Sequence, residues 1–110
     1  MVKMHLDNES FCLIHDGYKI IESRVNDEKR RALRIGDTIE FENRKTNEIV
    51  TAQIIDLIYK KTFTELFDDC DPADFGDKNK RDLLELIYSL YAKDEEEKYG
   101  VVGIKIKVLK

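Results

Sequence analysis

Two short segments in which apolar and polar residues alternate constrain the fold of this chain most. In residues 38–42, Ile39 and Phe41 fall on the same side of an extended chain. In residues 101–109, every second residue from Val102 to Val108 is apolar and falls on one side in the same way. A period of two places every second side chain on one face of a β-strand. These segments therefore predict strands that bury one face.

Three further segments have the composition and length of strands. They are residues 2–6, 19–25 and 48–59. In the longest of them the alternation breaks at Ile54 and Ile55, which predicts a bulge.

Helices are predicted between groups of strands. They cover residues 10–16, 27–34, 63–67 and 82–91, with residues 94–98 as a solvated segment that has room for one further turn. Gly17 is suited to the left-handed conformation that closes the first helix. The apolar stripe of residues 82–91 is typical of a helix packed on the core.

This order of elements predicts the α+β class. Because helices do not follow every strand, a doubly wound parallel sheet is disfavoured. We expect a small mixed or mostly antiparallel sheet, curled toward a β-barrel and flanked by short helices, in one domain over residues 1–110.

Composition excludes several classes of protein. The 110 residues include 19 Lys or Arg and 23 Asp or Glu, so the net charge is −4 and bulk charge does not indicate a polybasic nucleic-acid binder. No apolar run approaches the roughly 18 residues that span a bilayer, and the N-terminal residues lack the apolar core of a signal peptide. We expect a soluble, cytoplasmic protein without a membrane partner.

The possible metal ligands show no paired spacing. They are His5, Cys12, His15 and Cys70. We therefore expect free thiols, no metal site and no cofactor.

The charges are unevenly distributed. Residues 19–34 hold six Lys or Arg against three acidic residues, whereas residues 65–77 hold six acidic residues and no cation. A phosphate-bearing partner would prefer the first segment, which includes Arg30 and Arg31. Charge runs are more often simply solvated faces, and the acidic segment also suits a protein-interaction surface.

One motif points to a family. Residues 17–24 have the form G-x-K-x-x-E-x-R after a predicted helix, Gly36-Asp37 precedes a predicted strand, and Tyr99-Gly100 precedes the last strand. Together these segments resemble the ASCH domain family, whose fold is similar to the PUA domain of RNA-modifying proteins. The resemblance implies a β-barrel with helices at its mouth and a role in RNA binding.

The resemblance and the local charge predict a basic cleft at the barrel mouth that binds RNA or a nucleotide. Its predicted ligand-binding residues are Lys19, Glu22, Arg24, Arg30, Arg31 and Tyr99. On a regular strand Lys19 faces away from Glu22 and Arg24, so convergence requires that Lys19 lie in the turn before the strand. A purely structural Glu22–Arg24 salt bridge is the alternative.

Three tyrosines are candidate platforms for base stacking. They are Tyr18, Tyr59 and Tyr99, and the half-buried core aromatic is the competing interpretation for each. Tyr99 is favoured because the neighbouring Gly100 lets a ligand approach the backbone.

The family also implies a second hypothesis, hydrolysis of a modified nucleoside or of RNA. One branch removes the acyl group of an acetylated cytidine with a Lys, a Thr three residues later and a distant Glu. Lys19 matches the Lys, but Glu22 stands where that branch has Thr, and Ser23 is one residue away. If the chain is an enzyme, Lys19 and Glu22 are its predicted catalytic residues, with Glu22 acting on water.

Overall fold

Strands and short helices follow one another along the chain. A computed structural model describes residues 2–76 and 79–109. The strands are β1 (Val2–Leu6), β2 (Ile21–Val25), β3 (Thr38–Asn43), β4 (Ile49–Lys60) and β5 (Val101–Val108). The helices are α1 (Asn8–His15), α2 (Glu28–Arg31), α3 (Phe63–Asp69), α4 (Lys80–Leu90) and α5 (Lys93–Tyr99), and Pro72–Asp74 forms a 3₁₀ turn. The predicted α+β class is confirmed.

The strands form one five-stranded sheet in the order β1-β3-β4-β5-β2. Strand β1 pairs with β3 in parallel, and the other neighbouring strands pair antiparallel. The sheet curls into a half-barrel in which β1 and β2 are the two edge strands. The open side of the half-barrel therefore lies between β1 and β2.

Strand patterns follow the predicted alternation where one face of the sheet is covered. In β3, Ile39 and Phe41 are fully buried, and the β4–β5 register shifts between Ile54 and Asp56, which confirms the predicted bulge. The first half of β5 departs from alternation because both of its faces are covered. Val101 and Val102 are both buried there.

Two apolar clusters account for this double coverage. One lies between the sheet and α1 and includes Phe11, Ile14 and Phe41. The other lies between the sheet and helices α3 and α4 and includes Phe63 and Leu83. The cleft described below opens where elements of both clusters meet.

Three helices differ most from the predictions. Helix α2 is shorter than the predicted residues 27–34, because Asp27 is its N-cap and Ala32 is its C-cap. Helix α1 begins two residues early, because Asp7 has the extended backbone of an N-cap and its carbonyl accepts from the Phe11 N–H at 3.0 Å. Helix α5 is a full helix, because its residue Glu96 is buried and accepts hydrogen bonds from the Phe63 N–H and the Tyr88 hydroxyl.

In the described part of the chain, each helix is too short or too polar to cross a bilayer.

Candidate functional site

A cleft of about 510 Å³ lies between α1, β2 and α4. Its volume is within the range of sites that bind small molecules. Among the described residues, its lining contains three cationic side chains, those of Lys19, Arg24 and Arg44. The three carboxylates of Asp7, Glu9 and Glu22 also line it. Over these residues, the cleft that we predicted to be basic thus holds both signs of charge in equal number.

Lys19 reaches the cleft from the turn that ends α1. Gly17 has a φ of +83°, and the N–H groups of Tyr18 and Lys19 both donate to the Leu13 carbonyl, at 2.9 and 3.0 Å. This is the closure that a glycine after a helix allows. Lys19 then forms an isolated bridge with Phe75 before β2 begins at Ile21. Because Lys19 precedes the regular strand, the alternation of β2 does not determine its direction.

Glu22 binds both neighbouring cations at the floor of the cleft. Its Oε1 lies 2.8 Å from Lys19 Nζ, and its Oε2 lies 2.6 Å from Arg24 Nη2 and 2.9 Å from Arg24 Nε. The Glu22 residue is only 5% exposed, and the side chains of Lys19 and Arg24 are each 12% exposed. The structure therefore brings these three predicted site residues together.

The protonation state of Glu22 follows from this arrangement. Burial alone would raise the pKa of its carboxyl above the ordinary 4.5, but Lys19 and Arg24 outweigh burial and lower the pKa to about 2. Glu22 is therefore an anion at neutral pH. A carboxylate with so low a pKa is also a weak base.

Arg24 connects the two edges of the half-barrel. Its Nη2 donates to the His5 carbonyl of β1 at 3.2 Å, while the same guanidinium binds Glu22 of β2. Burial by itself would lower the pKa of Arg24, but Glu22 and then Tyr91 raise it. Arg24 therefore holds Glu22 in place and fastens β2 to β1.

Tyr91 is a cleft residue that sequence reasoning missed. Its position in the apolar stripe of residues 82–91 predicted core packing, and its ring does stack on Phe63 with a centroid distance of 5.8 Å. The same side chain also lines the cleft beside Arg24. Burial raises the pKa of Tyr91, and the charge of Arg24 opposes that shift.

Helix α4 supplies an apolar wall. Leu83 and Ile87 are buried against the core, while Leu86 and Leu90 are exposed and line the cleft. Leu13 of α1 also lines the cleft. An ionic floor and an apolar wall thus share one cavity.

Ser23 is also a lining residue. A regular alternation would direct Ser23 away from Glu22, but the burial pattern along β2 does not alternate. A hydroxyl therefore borders the same cavity as Lys19 and Glu22.

Three predicted ligand residues lie elsewhere. Arg31 is 5.7 Å from the centroid of the Tyr99 ring, and Lys98 Nζ is 5.0 Å from it. Arg30 pairs with Asp27 at 3.7 Å, although its charge also acts on Tyr91. Arg30, Arg31 and Tyr99 do not line the cleft; we call them the α2 surface, and it borders the cleft through Tyr91.

The other two candidate stacking residues are exposed. Tyr18 is 68% exposed and Tyr59 is 53% exposed, so neither is a core aromatic. Neither lines the cleft that holds Lys19.

The possible metal ligands do not converge. Within residues 2–76 and 79–109, no three His, Cys, Asp or Glu side chains are grouped so that they could hold a metal ion. Cys12 and Cys70 are free thiols.

Comparisons with solved structures support the fold described above. A crystal structure of the hypothetical protein PH0355 is 31% identical, with a TM-score of 0.86 and 97% of each chain covered. A solution structure of protein PF0455 from Pyrococcus furiosus is also 31% identical, with a TM-score of 0.78, and covers 99% of this chain and 97% of its own.

A more distant similarity shows the fold alone. The crystal structure of ASCH from Zymomonas mobilis is 11% identical, has a TM-score of 0.61, and is matched over 96% of this chain and 65% of its own. No curated protein matches the sequence. The family model of the ASCH domain matches residues 4–110, which include the helix–turn–strand segment of Lys19 and the closing strand β5. This chain therefore belongs to the ASCH domain family.

Proposed function

We propose that this protein binds RNA or a nucleotide through the cleft, with Lys19 and Glu22 contacting the polar edge of a base. The observation that carries this proposal is the buried Lys19–Glu22–Arg24 network at the floor of a cleft with an apolar wall. Membership of a family with a PUA-like fold supports a nucleic-acid ligand.

The network retains hydrogen-bonding capacity. An ammonium group has three N–H donors, and each carboxylate oxygen has two acceptor sites. Lys19 uses one donor on Glu22, and Glu22 Oε1 accepts only from Lys19 among the described residues. A donor and an acceptor therefore remain side by side, which suits the adjacent acceptor and amino groups of a nucleobase edge.

The apolar wall suits the face of the same base. Leu86 and Leu90 are exposed to solvent in the cleft, and covering them with a planar ring removes apolar surface from water.

Arg24 acts differently in this proposal. Its guanidinium donates to Glu22 and to the His5 carbonyl and also interacts with Tyr91, so it is a positioning residue for Glu22.

The α2 surface extends the proposal to longer RNA. Because Arg31 and Lys98 already lie over the Tyr99 ring, their charges are better suited to phosphate contacts than the ring is to base stacking. An RNA whose base occupies the cleft would pass this surface beside Tyr91. Arg30 and Arg31 then contact its backbone.

Hydrolysis is less well supported than binding. General-base catalysis favours a group whose pKa lies near the working pH, whereas the pKa of Glu22 is about 2. Ser23 borders the cleft, but the structure gives it no activating base within hydrogen-bond distance among the described residues.

The test compares Lys19→Ala with Lys61→Ala, an exposed lysine that lies outside the cleft. Affinities for the four nucleosides, their monophosphates and a short single-stranded RNA are measured by calorimetry or fluorescence. Removal of Lys19 should weaken binding about tenfold or more, since a charged hydrogen bond is lost, and Lys61→Ala should change it less than twofold.

Two results would contradict the proposal. One is the absence of binding by the unmodified protein to every one of these probes, and the other is unchanged affinity in Lys19→Ala. An assay with acetylated cytidine is run alongside. Turnover that disappears in Lys19→Ala would favour the hydrolase hypothesis.

A further inference from the structure

Among the described residues that line the cleft, Arg44 differs from the other two cations. Lys19 and Arg24 share the carboxylate of Glu22, so their charges are already compensated. The Arg44 guanidinium makes no hydrogen bond or ion pair within residues 2–76 and 79–109, although its backbone N–H donates to the Leu6 carbonyl at 2.9 Å. An anionic group of a ligand therefore finds an uncompensated cation at Arg44.

The backbone that carries Arg44 is well fixed. Its neighbour Asn43 is 1% exposed, and the Asn43 amide donates to Asn8 Oδ1 at 2.9 Å. The same amide group accepts from the Lys45 N–H at 2.9 Å. These bonds attach the β3–β4 hairpin to the start of α1. A cation on such a backbone loses less conformational entropy when it binds.

The position of Arg44 relates it to the floor of the cleft. The His5 carbonyl accepts from Arg24, and His5 is paired with Glu42 in the β1–β3 ladder. Arg44 lies two residues beyond Glu42, just past the end of β3, and it lines the same cleft as Lys19 and Glu22. The base and the phosphate of a nucleotide lie on opposite sides of its ribose, so a single nucleotide presents two groups to the cleft at once.

We propose that Arg44 binds the phosphate of a ligand whose base lies on Lys19 and Glu22, so that the cleft favours phosphorylated nucleotides and RNA over free nucleosides. This inference rests on the proposed function. A guanidinium matches phosphate oxygens with two parallel N–H donors.

The experiment measures the affinity of the full chain for each nucleoside and for its 5′-monophosphate. The unmodified protein should bind the monophosphate about tenfold more tightly, the increment of one charged hydrogen-bonded contact. Arg44→Ala should lose this increment and keep the affinity for the nucleoside. Lys45→Ala is the matched control, because Lys45 is the adjacent exposed cation and does not line the cleft. It should keep the increment.

A trinucleotide with a free 5′-hydroxyl separates the two sources of phosphate. If Arg44→Ala lowers the affinity for the trinucleotide as well, a phosphodiester of RNA occupies this position. If it lowers only the affinity for the monophosphate, the site binds a terminal phosphate. Both outcomes support the inference.

Three results would overturn it. Equal affinity of the unmodified protein for nucleoside and monophosphate, or an increment that survives in Arg44→Ala, would refute the role of Arg44 while leaving nucleoside binding intact. Absence of binding to any of these probes would refute the proposed function together with this inference.

Discussion

Replacing Glu22 with Gln removes the negative charge between Lys19 and Arg24, and we expect this change to lower the free energy of unfolding by about 3 kcal/mol at neutral pH. The pKa of Glu22 is about 2 in the folded chain against an ordinary 4.5. At 1.36 kcal/mol per pH unit, this difference corresponds to about 3 kcal/mol. Removing one partner of a buried ion pair independently suggests about 3–5 kcal/mol.

The pH dependence has a definite sign. Because the pKa of Glu22 is lowered on folding, its contribution is fully present above the unfolded value of 4.5 and is lost as the pH falls through about 2. A protonated Glu22 and a Gln carry the same charge. The stability difference between the unmodified protein and Glu22→Gln should therefore shrink to about 1 kcal/mol at about pH 3.

Urea denaturation of both proteins at about pH 7 and about pH 3 measures this difference. Glu48→Gln is the control, because Glu48 is an exposed carboxylate, and its effect should stay within about 0.5 kcal/mol. A Glu22→Gln effect that is the same at both pH values, or that is below about 1 kcal/mol at neutral pH, would refute the reasoning.

Two further changes test the packing and the α2 surface. Gly103→Ala should lower the free energy of unfolding by about 1–3 kcal/mol in urea denaturation, because the added Cβ would lie 3.0 Å from Leu66 Cδ1 and 3.2 Å from Ile21 Cγ2; a neutral substitution would show that α3 moves freely. Arg31→Ala should weaken binding of a short RNA and leave a mononucleotide unaffected in the same titration, and an equal effect on both ligands would place Arg31 at the cleft.

Local sequence signals predicted the elements whose causes are local. The alternation around Ile39 and Phe41 predicts a strand that is covered on one face, and the structure contains that strand as β3. Gly17 after an apolar helical turn predicts the end of a helix. The turn that it forms places Lys19 before β2, so Lys19 does not follow the alternation of that strand. The convergence of Lys19 with Glu22 follows from these two local signals together.

Features that depend on distant partners were not predictable in this way. Glu96 looked like one of several solvated acids, and its burial depends on the Phe63 N–H, which lies 33 residues away. Arg44 and Lys45 are adjacent cations between β3 and β4, and nothing in the local sequence distinguishes them. Only the pairing of β1 with β3 and the contact of Asn43 with Asn8 place Arg44 on the cleft.

The separation of the α2 surface from the floor of the cleft has a simple geometric cause. Lys19 precedes β2, and the turn that leads to Arg31 follows β2, where the Asn26 N–H donates to the Gly100 carbonyl at 3.0 Å. A five-residue strand is about 16 Å long. Residues at its two ends cannot share one small ligand, although they are close in sequence.

Arg24 joins the binding site to the closure of the half-barrel. Its guanidinium binds Glu22 on β2 and the His5 carbonyl on β1, the strands at the two ends of the sheet order. A change at Glu22 or Arg24 therefore alters the shape of the cleft as well as its charge, and a loss of affinity there has two causes. Removal of Lys19 leaves both Arg24 contacts in place but takes one of its two cations from Glu22. Removal of Arg44 alters neither the Glu22 network nor the Arg24 contacts. Ligand contacts are thus measured most directly at Arg44, and the strength of the closure is measured at Glu22.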